Sequence, residues 1–293
     1  MSKVNIIGGT CVDLLMKNVN KDEFFKGKYK VESIKTAFGG DALNETTVLN
    51  KYNVDARLIS SIGDDEFGKL VLNHLNDNHI KYNSNIIKKN TETSISFVFV
   101  DENGERIFVG NEDGALRLFD LDDIKIDEDC EIVSFASLFQ SKMLNNEKLE
   151  KLFSSIKQRN ITLFVDSSNP KNNEKIEDLS FLKYIDYFFC NETEAKAICG
   201  SDDLIECESI LYNSGIKNVI IKCGEKGCLF ETNYYKTSKI ECVDTTGAGD
   251  SFVAGFIKAF SEENNIEECL KVANEFGSLA CKYIGATEWL KHI

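Results

Sequence analysis

Proline is almost absent from this chain: Pro170 is the single one in 293 residues. Turns must therefore rely on Gly, Asn and Asp, and a proline-rich spacer is excluded. Histidine is scarce as well, and His74, His79 and His292 are scattered without the spacing of a metal site or an evident base. Paired cysteines are missing: among ten cysteines no C-x-x-C occurs, and the nearest two are Cys223 and Cys228. Cys130, Cys190, Cys242 and Cys281 lie in or beside apolar runs, so the thiols read as free, small hydrophobes rather than a disulfide framework or a metal site. Positive charge is in deficit, with a formal net charge of −14, and the lysines are dispersed apart from a run between Lys17 and Lys35. Nucleic acid and anionic membranes select basic surfaces, so neither is an expected partner. No stretch reaches the roughly 18 apolar residues of a membrane span. The opening MSKVNIIGGT runs straight into a strand without a signal-peptide core, and a cytoplasmic protein is expected.

What the chain does have is a globular composition, 42% hydrophobic and 28% charged, long enough for one large or two modest domains. Strand and helix patterns alternate. KVNIIGG, ARLISSIG, EIVSFAS, ITLFVDSS, IDYFFC and NVIIKCG read as strands; a helix starts over Asp41 to Leu49, and others cover EFGKLVLNHLND and residues 144–158, 192–199 and 203–213. That rhythm predicts an α/β fold whose mostly parallel central sheet is covered by helices on both faces. Residues 11–37 and about 91–115 break it. The second contains TSISFVFVDENGERIFVG, which alternates around Asn103-Gly104 and reads as a β-hairpin. Together the two pieces predict a small discontinuous β lid on a single domain spanning residues 1–293.

Near the C-terminus stands ECVDTTGAGDSFVAGF, Glu241 to Phe256. Ile240 to Val243 reads as a short strand and Asp244, Thr245 and Thr246 as turn formers. From Ala248 to Phe260 the phenylalanines at 252, 256 and 260 have helical spacing, with Ala254 and Gly255 allowing close packing. The Gly-Ala-Gly run thus opens a helix, where unpaired N–H groups and about half a positive charge favour an anion, and where glycine lets a phosphate approach. Asp250 in the first turn, favoured in its ionised form, puts a carboxylate base beside that cradle. A plain turn with a first-turn acid would look the same in isolation, so context decides.

A second glycine-rich stretch begins AFGGDALN, Ala37 to Asn44. Gly39 and Gly40 again precede a helix, but Asp41 and Asn44 join them with polar side chains that suit hydroxyl groups better than phosphate. An ordinary helix cap, Asp41 capping and Asn44 exposed, is the alternative. IIGGTCVD lacks the G-x-G-x-x-G spacing of a dinucleotide site.

Four elements in order, Gly8 to Asp13, Gly39-Gly40 through Asn44 with the trailing SSIGDDEFG, NETEA at Asn191 to Glu194, and DTTGAGD at 244–250, resemble the ribokinase-like (PfkB) carbohydrate kinases over nearly the whole chain. KCGEKG at 222–227 adds a fifth. The resemblance implies a three-layer ribokinase-like fold and phosphate transfer from ATP, with Mg²⁺ and K⁺, to a hydroxyl of a small sugar. It implies Asp250 as base and Gly247, Ala248 and Gly249 as anion hole. Asp13, Gly39, Gly40, Asp41 and Asn44 would hold the sugar. Asn191, Glu194, Lys222, Gly224, Gly227 and Asn274 would lie on the nucleotide side, with Glu194 near the Mg²⁺ shell. Asp244 and Thr246, with carbonyls around Gly285-Ala286, would hold the monovalent cation.

Two departures bear on the substrate. Many relatives that act on ribose or phosphosugars carry Lys after the paired glycines, whereas here stands Asp41, an acid that would repel a phosphorylated acceptor and favours a neutral sugar, fructose first. The GGD-x-x-N form resembles fructokinase-like and 2-keto-3-deoxygluconate kinase-like members. The acidic substrate of the latter needs a cation, for which Arg106 of the hairpin is the candidate, an exposed hairpin charge being the alternative. DSSNP at 166–170 lacks the Arg of some fructokinase relatives. A nucleoside kinase and a catalytically idle sugar-binding regulator are the competing functions. Exposed lid edges lead to an expected homodimer through the lid.

Overall fold

The structure, a computed structural model, describes residues 2–17, 19–20, 27, 29–101, 106–168, 176 and 179–293. In chain order the elements are β1 (Val4–Ile7), β2 (Cys11–Lys17), β3 (Ser33–Gly39), α1 (Asp41–Lys51), β4 (Ala56–Ile59), β5 (Ile62–Gly63), α2 (Glu66–Asp77), β6 (Lys81–Tyr82), β7 (Ile87–Lys88), β8 (Ile95–Val100), β9 (Arg106–Gly110) and β10 (Ile132–Leu138). There follow α3 (Asn146–Gln158), β11 (Thr162–Ser167), β12 (Tyr187–Asn191), α4 (Glu192–Cys199), α5 (Leu204–Asn213), β13 (Asn218–Lys222), β14 (Cys228–Phe230), β15 (Asn233–Tyr235), α6 (Ala248–Ser261) and α7 (Ile266–Ala280).

Short apolar runs become central strands because both of their faces are covered. Among the described residues nine strands form one sheet in the order β15-β14-β13-β12-β11-β10-β1-β4-β6, parallel from β13 to β6, with β14 and β15 antiparallel at one edge. Ile6, Phe164, Phe189 and Ile220 point into a core shared with α1, α6 and α7. Their chain neighbours Ile7, Val165, Phe188 and Ile221 point into a second core under α3, α4 and α5. The expected phenylalanine spacing in α6 seats Phe252 and Phe256 edge-on against Phe189, and Phe260 against Phe164. Gly255 lets α7 approach: a Cβ there would stand 2.9 Å from the Phe276 ring. Truncating so packed a ring as Phe256 would cost about 3–5 kcal/mol.

The lid is built from both predicted pieces as a sheet of order β3-β2-β8-β9. β2 runs antiparallel to β3 and parallel to β8, and β8 pairs with β9 as the hairpin anticipated from its alternation. The Asn103-Gly104 turn lies outside the described residues, as does the Arg106 side chain; the Arg106 backbone pairs with Val100. One reading is corrected. Ile240 to Val243 is no strand but irregular chain with Val243 exposed, tied by the Val243 N–H to the Cys281 carbonyl at 2.8 Å. The sheet edge is already occupied by the short hairpin β14–β15, which leaves this segment without a ladder partner. Among the described residues no helix is long and apolar enough to cross a membrane.

Candidate active site

The parallel strands deliver their C-terminal ends to one rim, where open α/β sheets bind ligands. Two helices start there. α1 begins after Gly40, whose φ of 101° and lack of room both demand glycine: a Cβ would lie 2.5 Å from the Gly9 carbonyl oxygen. Neither Asp41 nor any other side chain caps this helix, and Asn44 is buried, so the ordinary-cap alternative fails. Instead Asp41 accepts a hydrogen bond from Ser137 Oγ at 3.2 Å, and that hydroxyl accepts from the Gly9 N–H at 2.9 Å. Asp13 on β2 completes this side: a Cβ on Gly39 would meet its carboxylate at 2.6 Å.

α6 begins after Gly247, φ 72°, where a Cβ would stand 2.5 Å from that of Ala286. Asp250 lies in its first turn, and Asn44 Nδ2 donates to Asp250 Oδ2 at 2.7 Å, so the two helix starts meet. Lys222, at the end of β13, carries its ammonium to the same cradle, 3.2 Å from where a Gly249 Cβ would be. There it binds both oxygens of Asp166 at the end of β11, at 2.6 and 2.8 Å. The start of α6, a lysine ammonium and a carboxylate thus surround one point, although the Ala248 N–H expected in the anion hole is donated to the Thr245 carbonyl at 3.2 Å.

Acids outnumber cations in this cluster. Burial pushes the Asp250 carboxyl up, against the pull of the Asn44 hydrogen bond and Lys222. The helix start favours the ionised form of Asp250, as expected, but loss of water outweighs it. Asp41 is driven well up by burial and by Asp250 and Asp166. Burial likewise raises Asp166 to about 7, Lys222 opposing and Glu194 adding to the rise. Lys222, despite burial, is held firmly charged by Asp166 and Glu194.

The remaining predicted residues divide into those at the site and those that shape it. Asn191 and Glu194 form a reciprocal capping box at the start of α4, at 2.9 and 2.8 Å. Glu194 is nonetheless buried, and its charge reaches Asp166 and Lys222. Gly227 (φ 91°) has no room for a Cβ, 2.0 Å from the Tyr235 carbonyl oxygen, whereas Gly224 faces open space. Asn274 is buried and donates to the Tyr235 carbonyl at 3.0 Å, joining α7 to β15. Asp244 accepts from Thr246 N and Oγ1 at 2.9 and 2.8 Å and from Gly285 N at 2.8 Å, binding the loop before α6 to the Gly285-Ala286 segment. Sequence reasoning passed over Ser137 and Asp166. Asp166 had a signal, an acid closing a buried strand in DSSNP; Ser137, a small residue inside SFASLF, had none.

Four oxygen acids around one lysine suit a hard divalent cation, and Asp166 and Glu194 are the residues that would hold Mg²⁺. Among the described residues no three His, Cys, Asp or Glu are grouped to hold a metal by themselves.

Residues 1–292 match the family described as pfkB family carbohydrate kinase. The chain belongs to this family. It is 23% identical over 275 residues to the 2-dehydro-3-deoxygluconokinase of Haemophilus influenzae, covering 85% of this chain and 88% of that protein. It is 24% identical over 277 residues to probable fructokinase-7 of Arabidopsis thaliana, covering 87% and 81%. The fold matches that of Arabidopsis thaliana ribokinase, solved with ribose and ATP, with a TM-score of 0.81 at 22% identity over 99% and 96% of the two chains. This PfkB protein is therefore a sugar or nucleoside kinase, a phosphotransferase with an alcohol group as acceptor, of a family that uses ATP.

Proposed function

We propose that this PfkB kinase phosphorylates a small neutral sugar, fructose first, with Asp250 as general base and the N–H groups at Gly247, Ala248 and Gly249 as anion hole. The observation that carries the reading is the junction of the two helix starts: the carboxylate that Asn44 holds at 2.7 Å belongs to the same helix turn that Lys222 approaches at Gly249. The acceptor hydroxyl, oriented by Asp13, Asp41 and Asn44, attacks the γ-phosphorus of ATP. Its oxygen–phosphorus bond forms as the bond to the ADP oxygen breaks, and its proton passes to the Asp250 carboxylate. The helix N–H groups and Lys222 take up charge on the transferring oxygens without reorganising. Mg²⁺, held near Asp166 and Glu194, supplies neutralisation of phosphate charge when bound.

The raised pKa of Asp250 serves this role, because a base works best when its pKa approaches the working pH. Asp41 supports the neutral acceptor: it is set between Asp250 and Ser137, so a phosphate dianion there would face two acids. The Asp244–Gly285 tie supports a K⁺ site whose occupancy would stiffen the loop carrying Gly247. On the lid, Ile34, Phe97, Ile107 and Val109 are exposed, and register places all four on one face. That face supports a homodimer through the lid. The deciding experiment is a coupled assay of kcat/KM for fructose, fructose 6-phosphate, 2-keto-3-deoxygluconate, ribose and adenosine. Fructose should lead; a preference for the sugar phosphate would overturn the role given to Asp41.

A further inference from the structure

Away from the catalytic rim, a groove of about 1020 Å³ separates the lid's edge strand β3 from the segment after α7, with α1 and α2 beneath it. Its lining carries Lys17, Lys35, Lys51, Lys282 and Lys291 against one acid, Glu288. In a chain with 48 acidic and 34 basic residues this ratio is inverted. Lysines elsewhere are mostly paired, as in Lys81–Asp55, Lys88–Asp123 and Lys148–Asp120. In the groove only Lys291 is, to Glu288 at 2.8 Å; Lys17, Lys35, Lys51 and Lys282 make no ion pair among the described residues. Lys17 and Lys35 lie on one face of the lid, since Lys35 stands opposite Leu15 and Lys17 follows two residues on.

We propose that this groove is a second anion site, taking a small metabolite that carries phosphate with two or more negative charges. Four ammonium groups without an ion pair among the described residues, lining one concavity, repel one another, and a multiply charged anion removes that cost, whereas one carboxylate would leave most of it. The site is separate from the catalytic one: none of Asp13, Asn44, Lys222 and Asp250 lines it. It is also connected to it. Ala286, in the groove wall, is the residue that Gly247 packs against, and the neighbouring Gly285 N–H binds Asp244. An occupant spanning Lys35 on the lid and Lys282 on the body would draw the edge strand toward the segment that supports the cradle.

Calorimetric titration of the whole protein with inorganic pyrophosphate tests this. Binding to the wild type is expected, weakened about tenfold or more in Lys35→Glu/Lys282→Glu, where two attractions become repulsions. Binding should stay within about twofold in Lys222→Gln, which alters the cradle's own cation. Both lysines of the double variant are exposed, so its thermal midpoint should not fall. No binding to wild type, binding unchanged in the double variant, or loss confined to Lys222→Gln would each overturn the proposal, the last by assigning the anion to the catalytic cradle.

Discussion

α1 and α6 begin in the same way and serve different chemistry. Each follows a glycine of positive φ with no room for a side chain, since a Cβ would stand 2.5 Å from Gly9 at Gly40 and from Ala286 at Gly247, and each carries an acid in its first turn. The difference lies in what other strands bring to the opening. β10 brings Ser137 to Asp41, a neutral hydroxyl suited to another hydroxyl. At α6, α1 brings Asn44 to Asp250, and β13 brings the ammonium of Lys222. A helix start is a general anion site; the side chains set around it decide whether it receives an alcohol or a phosphate.

The sharpest way to break this comparison is to neutralise each acid in turn. Asp250→Asn should lower kcat by about 10²–10⁴-fold, the loss expected for a general base, with little change in nucleotide affinity. Asp41→Asn should act mainly on the KM for sugar, because that acid only orients the acceptor. Steady-state kinetics of the two variants with ATP and fructose checks both, and equal losses of kcat would erase the distinction between the helix starts.

Next comes the cation. Lys222→Met should cost roughly 10²–10³-fold in kcat, the range for removing one donor from a preorganised anion hole. Sugar KM should hold steady. The pH profile sharpens the same point. Protonated Asp250 cannot accept the acceptor's proton, and burial raises its pKa, so kcat/KM should fall with decreasing pH at a value above the ordinary Asp range.

A smaller effect is expected from the loop joining Asp244 to Gly285. K⁺ should raise the rate a few-fold over an equal concentration of a large organic cation, Mg²⁺ being present in both, by stiffening the chain that carries Gly247. Equal rates in the two salts would remove K⁺ from the reading.

Most of the sheet and both helix starts were legible in the sequence because their signals are local: apolar runs, helical phenylalanine spacing, and glycine followed by small polar residues. What sequence could not show is pairing across the chain. Asn44 and Asp250 are 206 positions apart, and Lys222 and Asp166 are 56. The lid pieces were visible as breaks in rhythm, but β14–β15 was missed, and the false strand at Ile240 to Val243 arose because local propensity cannot tell whether a sheet edge is already taken. The direction of the Asp250 shift escaped for a similar reason, since burial is a property of the assembled rim.

The least of these effects concerns stability and separates acids that the site uses from one that it does not. Glu45, one residue after Asn44, is fully buried; Ser134 Oγ donates to its Oε2 at 2.7 Å, while its Oε1 has no partner among the described residues. Burial, with Asp166, Asp250 and Asp41 nearby, pushes its pKa well up. The folded state therefore holds this proton more tightly than the unfolded chain, and stability is lost as pH rises from the unfolded value toward the folded one. Glu45→Met replaces the group with an apolar one of similar length, which at such positions is often stabilising. Relief of one buried, unpaired oxygen is worth roughly 1–3 kcal/mol, or about 2–4 °C in Tm for each kcal/mol. The gain should be larger at pH 8 than at pH 5, as Tm measured across that range will show. Asp166→Asn should do the opposite, because it strips Lys222 of its partner and leaves a buried cation. If Glu45→Met lowers Tm at both pH values, Glu45 is held by its Ser134 bond after all and belongs with the working acids rather than apart from them.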